Sequence, residues 1–215
     1  MTSPTVPVPE GTPEPAAKSE DPRQRSIVRE ARRYFMSEGY AATRIEPIAR
    51  AASVSTATLY GYFPSKAHLF SAVIADAADD FQAQMRTVGM AGGTAREQVT
   101  AFATAYANFM GDRFVRSVFR LVMAERPRFR DVAQGFFERG RSDFGAPLMR
   151  ALTVLAERGE LSFPKAAWAA GQLMGMIEHP VFFMPLVTGD EVQTQRTTEC
   201  IVAEVVETFM ARYGT

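Results

Sequence analysis

Apolar side chains recur every three or four residues through most of the chain beyond residue 20, without a sustained alternation of apolar and polar positions. This spacing is typical of amphipathic helices and not of strands. The first helix is predicted over residues 22–38, with Asp21 as its N-cap, Pro22 at its first position, and Gly39 as its end. Tyr40 can then fold back onto it. The pattern therefore predicts an all-α protein.

A second, short helix is predicted from about Arg44 to Ala52. Thr43 followed by Glu46 resembles a capping box, and this register is preferred. In the alternative register, Glu46 is the cap and Pro47 is the first helical residue, which spares Pro47 the loss of a hydrogen bond.

Two further helices follow the turn at Ser53 and Val54. One is predicted from about Ser55 to Tyr62, and Pro64–Ser65 then cap a longer one that runs from Lys66 towards Val88. The small Ala49 suits a close crossing of the two short helices, and apolar residues fall where such a pair packs on the first helix: Ile48, Ala52, Val54 and Leu59. This is helix-turn-helix spacing, in which the outer face of the later helix is free to enter a DNA major groove.

Composition divides the chain into three parts. Residues 1–20 contain five prolines among small and polar residues, so we expect a disordered tail there. We expect a helix-turn-helix domain over 21–67 and a larger helical domain over 68–215. A chain of 215 residues with 47% hydrophobic and 22% charged residues is long and apolar enough to bury a core.

Charge is balanced overall but unevenly distributed. Between Pro22 and Ala75, eight basic residues stand against three acidic ones, a net charge of +5 in a chain whose formal net charge is zero. Such a basic segment is the electrostatic footprint of a nucleic-acid reader, although an arginine-rich solvated helix face would look the same.

The run TRIEPIARAASVSTATLYGYFPSKAHLF closely resembles the signature of the TetR family. The resemblance implies a homodimeric transcriptional regulator, with repression expected, that a small apolar ligand releases from a palindromic operator in double-stranded DNA. The DNA-contacting residues that it implies are Thr43, Arg44, Ser55, Thr56, Ala57, Thr58, Tyr60, Gly61, Tyr62 and Lys66. Within this set, the hydroxyls and the ammonium suit phosphates, and the short side chains let the backbone approach base edges.

Ser53 departs from this family pattern, which usually has glycine at the turn. The family's turn requires a positive φ, which glycine adopts without steric cost. A left-handed serine would cost about 1 kcal/mol, so the turn is predicted to be strained or reshaped.

The segments RLVMAERPRFRDVAQGFFERG and GQLMGMIEHPVFFMPLVTG are similar to the ligand domains of the AefR-like subgroup of this family. The abundance of Phe and Met suits an adaptable cavity between helices. The predicted ligand-pocket residues are Phe102, Tyr106, Phe109, Phe119, Met123, Phe137 and Met149. Polar contacts could come from Asn108, Gln134, Gln172, Glu178 and His179.

The family resemblance places dimerisation on the last two long helices, predicted at about residues 165–177 and 191–212. Small residues on the first permit close approach, and the apolar face of the second is too wide for a lone terminal helix. The predicted interface residues are Ala167, Ala170, Gly171, Gly175, Val202, Val205, Val206 and Phe209.

Other classes of function find little support. His68 and His179 lie far apart, Cys200 is the sole cysteine, and neither a phosphate loop nor a nucleophile elbow is present, so we expect no enzyme, no cofactor and no metal site. No membrane segment is predicted, and a reducing cytoplasm fits the cysteine content. The alternative function is a helical small-molecule-binding or adaptor protein that no longer binds DNA.

Overall fold

The structure, a computed structural model, describes residues 21–86, 92–189 and 196–215. Regular structure across these ranges is helical, apart from one antiparallel bridge between Leu161 and Gly214. The predicted all-α class is confirmed. The helices are α1 (Pro22–Ala42), α2 (Ile45–Ala51), α3 (Thr56–Tyr62), α4 (Lys66–Arg86), α5 (Ala95–Met110), α6 (Arg113–Glu125), α7 (Arg130–Gly140), α8 (Ala146–Glu157), α9 (Ala166–Glu178), α10 (Met184–Thr188) and α11 (Thr198–Tyr213).

Helix α1 begins as the sequence predicts and changes direction at the predicted glycine. The Asp21 carboxylate accepts a hydrogen bond from the Arg23 amide at 2.8 Å. Gly39 has a φ of 74° inside the helical span, which makes a kink that only glycine adopts easily. Beyond it Tyr40 folds back, and its ring stacks on Phe35 with centroids 5.8 Å apart.

Both predicted registers for the start of the second helix are wrong. The N-cap is Arg44, without a side-chain capping bond, and α2 begins at Ile45. Pro47 is consequently the third helical residue, where an amide has no partner within the helix in any case. The proline therefore forfeits no hydrogen bond, and this removes the reason for shifting the cap to Glu46.

The turn before α3 and the cap of α4 agree with their predictions, and Ser55 is the N-cap of α3, not its first residue. Ser53 is the only non-glycine residue with positive φ among the described residues, at 57°. The Ser55 side chain caps α3 by accepting from the Thr58 amide at 3.0 Å. Ser65 does the same for α4, accepting from the His68 amide at 3.2 Å.

The larger helical part is organised around α5 and α9. Helix α5 starts with a capping box between Thr94 and Glu97, and α11 packs against both α5 and α9. Two π-helical turns interrupt otherwise continuous helices: residues 141–145 join α7 to α8, and residues 179–183 join α9 to α10. Such turns offset the side chains around them and occur often at functional sites.

Three expectations fall wholly or partly on residues that the structure does not describe. They are the disordered tail over residues 1–20, the end of the fourth helix near Val88, and the start of the last helix at Glu191. The described part of the last helix begins at Thr198, with Thr197 as its N-cap.

Candidate nucleic-acid interface and effector cavity

Helices α1, α2 and α3 form a small unit around one apolar centre. Ile27, Phe35, Ile48 and Leu59 are each fully buried, and Ala49 is buried where α2 crosses its neighbours. The two short helices α2 and α3 pack on each other and on α1. This is the predicted helix-turn-helix, with α3 in the position of the reader helix.

The outer face of α3 presents short side chains to solvent. Ser55, Thr56, Ala57 and Gly61 are exposed, and no atom lies within 4 Å of the position that a Cβ on Gly61 would occupy. Tyr60 is 46% exposed beside them. Short side chains permit close approach of the α3 backbone to base edges, while Arg44 is exposed at the start of α2.

Thr43 occupies a different position from the one expected of a phosphate contact. Its side chain is only 2% exposed, and its hydroxyl lies 2.7 Å from the Gly39 carbonyl oxygen and 3.2 Å from that of Tyr34. The hydrogen bonds of this hydroxyl thus stabilise the kinked end of α1. We correct its predicted role accordingly, because a phosphate cannot reach a buried hydroxyl.

Tyr62 is also engaged within the protein. Its hydroxyl donates a hydrogen bond to the Asp21 carboxylate, which also caps α1. This bond lowers the pKa of Asp21 and raises that of Tyr62. A phosphate would therefore compete with a carboxylate for this hydroxyl. Thr58 is similarly occupied, with its hydroxyl 2.8 Å from that of Ser55.

Lys66 folds back onto the reader domain. Its ammonium donates to the Ala41 carbonyl oxygen at 3.2 Å and lies 4.5 Å from the centre of the Tyr40 ring. The Arg128 guanidinium lies 5.1 Å from the same ring centre. Burial, and then the charge of Arg128, lowers the pKa of Lys66.

An aromatic cluster joins this domain to the larger one. Phe129 follows α6, and its ring lies 4.6 Å from that of Phe70 and 4.8 Å from that of Tyr40, centre to centre. Phe70 belongs to α4 and Tyr40 to the end of α1. A shift of the α6–α7 connection would therefore act on the helices that hold the reader.

A large cavity of about 1090 Å³ lies among helices of the C-terminal part. Its floor is formed by buried residues, including Phe81 of α4 and Tyr106 of α5. Both π-helical turns contribute aromatic rings, Phe144 from the first and Phe182 from the second. The Tyr106 hydroxyl donates to the Glu178 carboxylate, and burial, followed by the charge of Glu178, raises the pKa of Tyr106.

Five of the seven predicted pocket residues line this cavity: Tyr106, Phe119, Met123, Phe137 and Met149. Phe102 and Phe109 do not, and their assignment is corrected. Phe109 packs its ring against Phe81 at 5.1 Å within the core, and Phe102 lines a separate cavity of about 240 Å³. Of the polar candidates, Gln134 and Glu178 line the large cavity, whereas Asn108, Gln172 and His179 do not.

The sequence did not predict many of the other lining residues, among them four arginines: Arg126, Arg130, Arg139 and Arg141. For Arg126 and Arg130 a signal was present in the sequence, because the run RPRFR places alternating arginines between two amphipathic helices. The spacing of apolar residues along a helix indicates which side chains face a core. This spacing does not indicate that the connection between two helices borders a cavity.

The predicted dimer interface needs a correction on the last helix. Val202, Val205, Val206 and Phe209 are buried within this one chain. Helix α11 is apolar over a wide arc because it packs on both α5 and α9. On α9, Ala170 is buried, and Ala167, Ala170 and Gly171 line the cavity, whereas Gly175 is exposed without lining it.

A different apolar surface is exposed on the continuous helical stretch of residues 166–188. Trp168 is 62% exposed, Phe183 51% and Val187 67%, and Met184 lies beside them. Their spacing places Trp168, Phe183 and Val187 along one side of the helix, across its π turn. We call these four residues the exposed helix stripe.

Residues 21–86, 92–189 and 196–215 contain neither a membrane-spanning helix nor a metal-binding cluster. No helix there is both long enough and apolar enough to cross a bilayer. The same ranges contain no cluster of three His, Cys, Asp or Glu side chains placed to hold a metal ion.

A helix-turn-helix unit joined to a larger helical domain with a cavity is the architecture of a DNA-binding transcriptional regulator. Family comparison agrees with this class. Residues 27–73 match the model for bacterial regulatory proteins of the tetR family, and residues 97–215 match the model for the AefR-like transcriptional repressor C-terminal domain. The chain belongs to the TetR family of transcriptional regulators.

Solved structures show the same fold. The Flavonoid-responsive Regulator FrrA is 26% identical, with a TM-score of 0.73 over 89% of this chain and 97% of that one. A TetR transcriptional regulator from Agrobacterium tumefaciens is 24% identical, with a TM-score of 0.73 over 91% and 96%. The transcriptional regulator FadR from Bacillus subtilis, solved with stearoyl-CoA, is 19% identical, with a TM-score of 0.64 over 86% and 96%. No curated protein sequence matches the chain.

Proposed function

We propose that this chain is a cytoplasmic, homodimeric repressor that binds a palindromic operator through α3 and leaves it when a small, largely apolar molecule occupies the cavity. The observation that carries the proposal is the exposed face of α3, with short side chains over a fully buried Leu59. We place the boundary between reader and ligand domain at residues 67 and 68, in the first turn of α4.

The proposed DNA contacts divide by chemistry. Thr56, Ala57 and Gly61 face base edges, with Ser55 at the mouth of the groove, while Arg44 and Tyr60 are free to reach phosphates. Lys66, Thr58 and Tyr62 contact phosphates only after exchanging their internal partners. Since Ala57 and Gly61 carry no hydrogen-bonding group, specificity rests on the Thr56 side chain, thymine methyls and DNA shape.

Dimerisation is proposed through the exposed helix stripe together with the outward side of α11. Four large apolar side chains exposed on one helical stretch are unusual for a monomer surface and mark an interaction site. A two-fold axis through this surface would place two copies of α3 one turn of DNA apart, about 34–36 Å, as a palindromic operator requires.

Release would follow from the position of the cavity. Ala78 and Phe81 of α4 line it, and α4 begins at Lys66 in the reader domain. A difference of about 1–3 kcal/mol in ligand affinity between the DNA-bound and free conformations would weaken operator binding roughly 5- to 150-fold. Two of the solved structures are named for a flavonoid response and for a complex with stearoyl-CoA, and both molecules contain an apolar part of the kind that this cavity would bury.

Selection from random double-stranded DNA tests the proposal. Wild-type protein should enrich a palindrome, and Thr56→Ala should shift the preferred bases within each half-site. Arg150→Gln, an exposed change on α8, serves as the control and should leave the site unchanged. Failure to enrich any site would support the alternative, a helical ligand-binding or adaptor protein without DNA binding.

A further inference from the structure

The large cavity has an apolar, acidic floor and a basic mouth. Its floor residues, among them Tyr106 and Val122, are buried. Other lining residues are exposed to solvent and so mark the opening: Met123, Arg126, Arg130, Gln134, Phe137, Arg141, Ala167 and Gly171. The opening therefore carries three guanidinium groups beside two large apolar side chains.

Within the described part of the chain, these three arginines have no carboxylate partner. Across the described residues, no ion pair or hydrogen bond joins the side chain of Arg126, Arg130 or Arg141 to another group. Arg139, which also lines the cavity, differs, because it pairs with Asp79 at 2.5 Å. A guanidinium presents a planar fork of donors that matches the oxygens of a carboxylate or phosphate.

The floor of the cavity carries acidic side chains, so it disfavours the anions that the arginines at the mouth attract. Glu178 accepts the Tyr106 hydroxyl there, and Asp143 accepts from the Gln82 amide at 2.9 Å. Both carboxylates line the cavity. An anionic group would be repelled from the floor, while a ligand hydroxyl could join the Tyr106–Glu178 pair.

We infer that the cavity takes an amphipathic anion, with its carboxylate or phosphate held at the mouth by Arg126, Arg130 and Arg141 and its apolar body among Phe119, Phe136 and Phe144. This inference rests on the proposed function, in which the cavity is the effector site. It adds the charge of the effector and the direction in which it enters. It also places the anion on the connection that carries Phe129 into the reader domain.

Four naphthalene compounds of similar size test the inference by calorimetric titration. They are naphthalene-2-carboxylate, 2-naphthyl phosphate, naphthalene-2-methanol and naphthalen-2-ylmethylammonium. At least one anion should bind the wild-type protein about tenfold or more tightly than the alcohol, because hydrogen bonds to charged groups are the stronger ones. The carboxylate and the phosphate arms show which head group is preferred.

The matched variant replaces Arg126, Arg130 and Arg141 with Gln, and Arg150→Gln is the control. All four arginines are exposed, so folding should be retained and is checked by circular dichroism. In the triple variant the anion should bind no more tightly than the alcohol, while affinity for the alcohol stays within about twofold. The control should keep the wild-type preference.

Three results would overturn the inference. They are equal or tighter binding of the alcohol or the ammonium by wild-type protein, an anion preference that persists in the triple variant, and binding of no probe up to 1 mM. Titration of unliganded protein with the selected operator is measured separately. If operator binding is intact while any of these results holds, the ligand inference fails and the DNA-binding proposal stands.

Discussion

Ser53 adopts a backbone conformation that serine ordinarily disfavours. Its φ of 57° lies in the left-handed region, and the turn is held by amide bonds from Ser53 to Arg50 and from Val54 to Ala49, at 3.1 and 2.9 Å. The Ser53 side chain is exposed, and no hydrogen bond of its hydroxyl is found among the described residues. The neighbouring helices therefore impose the strain.

Replacing Ser53 with Gly should raise the free energy of unfolding by up to about 1 kcal/mol. Glycine removes the left-handed penalty, and the greater entropy of the unfolded chain offsets part of the gain. Urea denaturation measures the change, with Ser55→Gly as the control that removes a cap and should destabilise by a few tenths of a kcal/mol. A clear loss of stability in Ser53→Gly would contradict the strain argument.

The Tyr62–Asp21 bond gives a second prediction at this scale, which concerns pH. The lowered pKa of Asp21 means that its contribution is present above pH 4 or so and is lost as pH falls through the lowered value. The raised pKa of Tyr62 means that its contribution is present below about pH 10 and is lost as pH rises through the raised value.

Tyr62→Phe should therefore melt below wild type at neutral pH, and the difference in Tm should shrink at both extremes. Tyr60→Phe is the matched control, since Tyr60 is 46% exposed and should show no such dependence. Thermal melts from pH 3 to 11 measure both variants. Parallel curves for Tyr62→Phe and wild type would show that the bond does not form in solution.

At the scale of elements, the connection between α6 and α7 links cavity and reader. It carries Arg126 and Arg130 at the cavity, and Phe129 in the cluster with Tyr40 and Phe70. Edge-to-face and stacked rings at these distances favour one arrangement over others. In the proposed function, a ligand in the cavity would act on α4 and the end of α1 through this connection.

Phe129→Ala should lower the free energy of unfolding by about 1–3 kcal/mol, less than the loss of a fully buried phenylalanine, because Phe129 is half-buried. Phe137→Ala is the control, since Phe137 is 65% exposed and should change stability by under about 0.5 kcal/mol. Chemical denaturation compares the two. Equal losses of unfolding free energy in the two variants would mean that the aromatic cluster contributes little to the contact between the domains.

At the scale of the whole molecule, the exposed helix stripe is the proposed dimer contact. We expect Phe183→Glu combined with Val187→Glu to give a monomer, because two carboxylates would have to be desolvated at the contact. Val154→Glu on α8 is the matched control, since Val154 is 51% exposed and lies outside the stripe.

Sedimentation velocity measures the oligomeric state, and operator affinity should fall about 10²-fold or more when the two readers are no longer linked. A double variant that still sediments as a dimer would move the interface elsewhere.

The sequence by itself determined the helical class, the first three helices apart from the start of α2, the caps at Asp21 and Ser65, and the strained turn at Ser53. These features depend on residues close together in the chain, where hydrophobic spacing, capping side chains and backbone sterics act directly. It also predicted part of the cavity, because Phe and Met at helical spacing face inward in a helical bundle.

Only the tertiary structure decided which inward side chains pack fully and which border a space. Phe109 and Val205 have the same periodic signature as cavity or interface residues, yet both are core, because neighbouring helices cover them. The hydroxyl of Tyr62 and the ammonium of Lys66 likewise have partners in other elements. Such contacts depend on how helices distant in sequence come together, which periodicity along one helix does not encode.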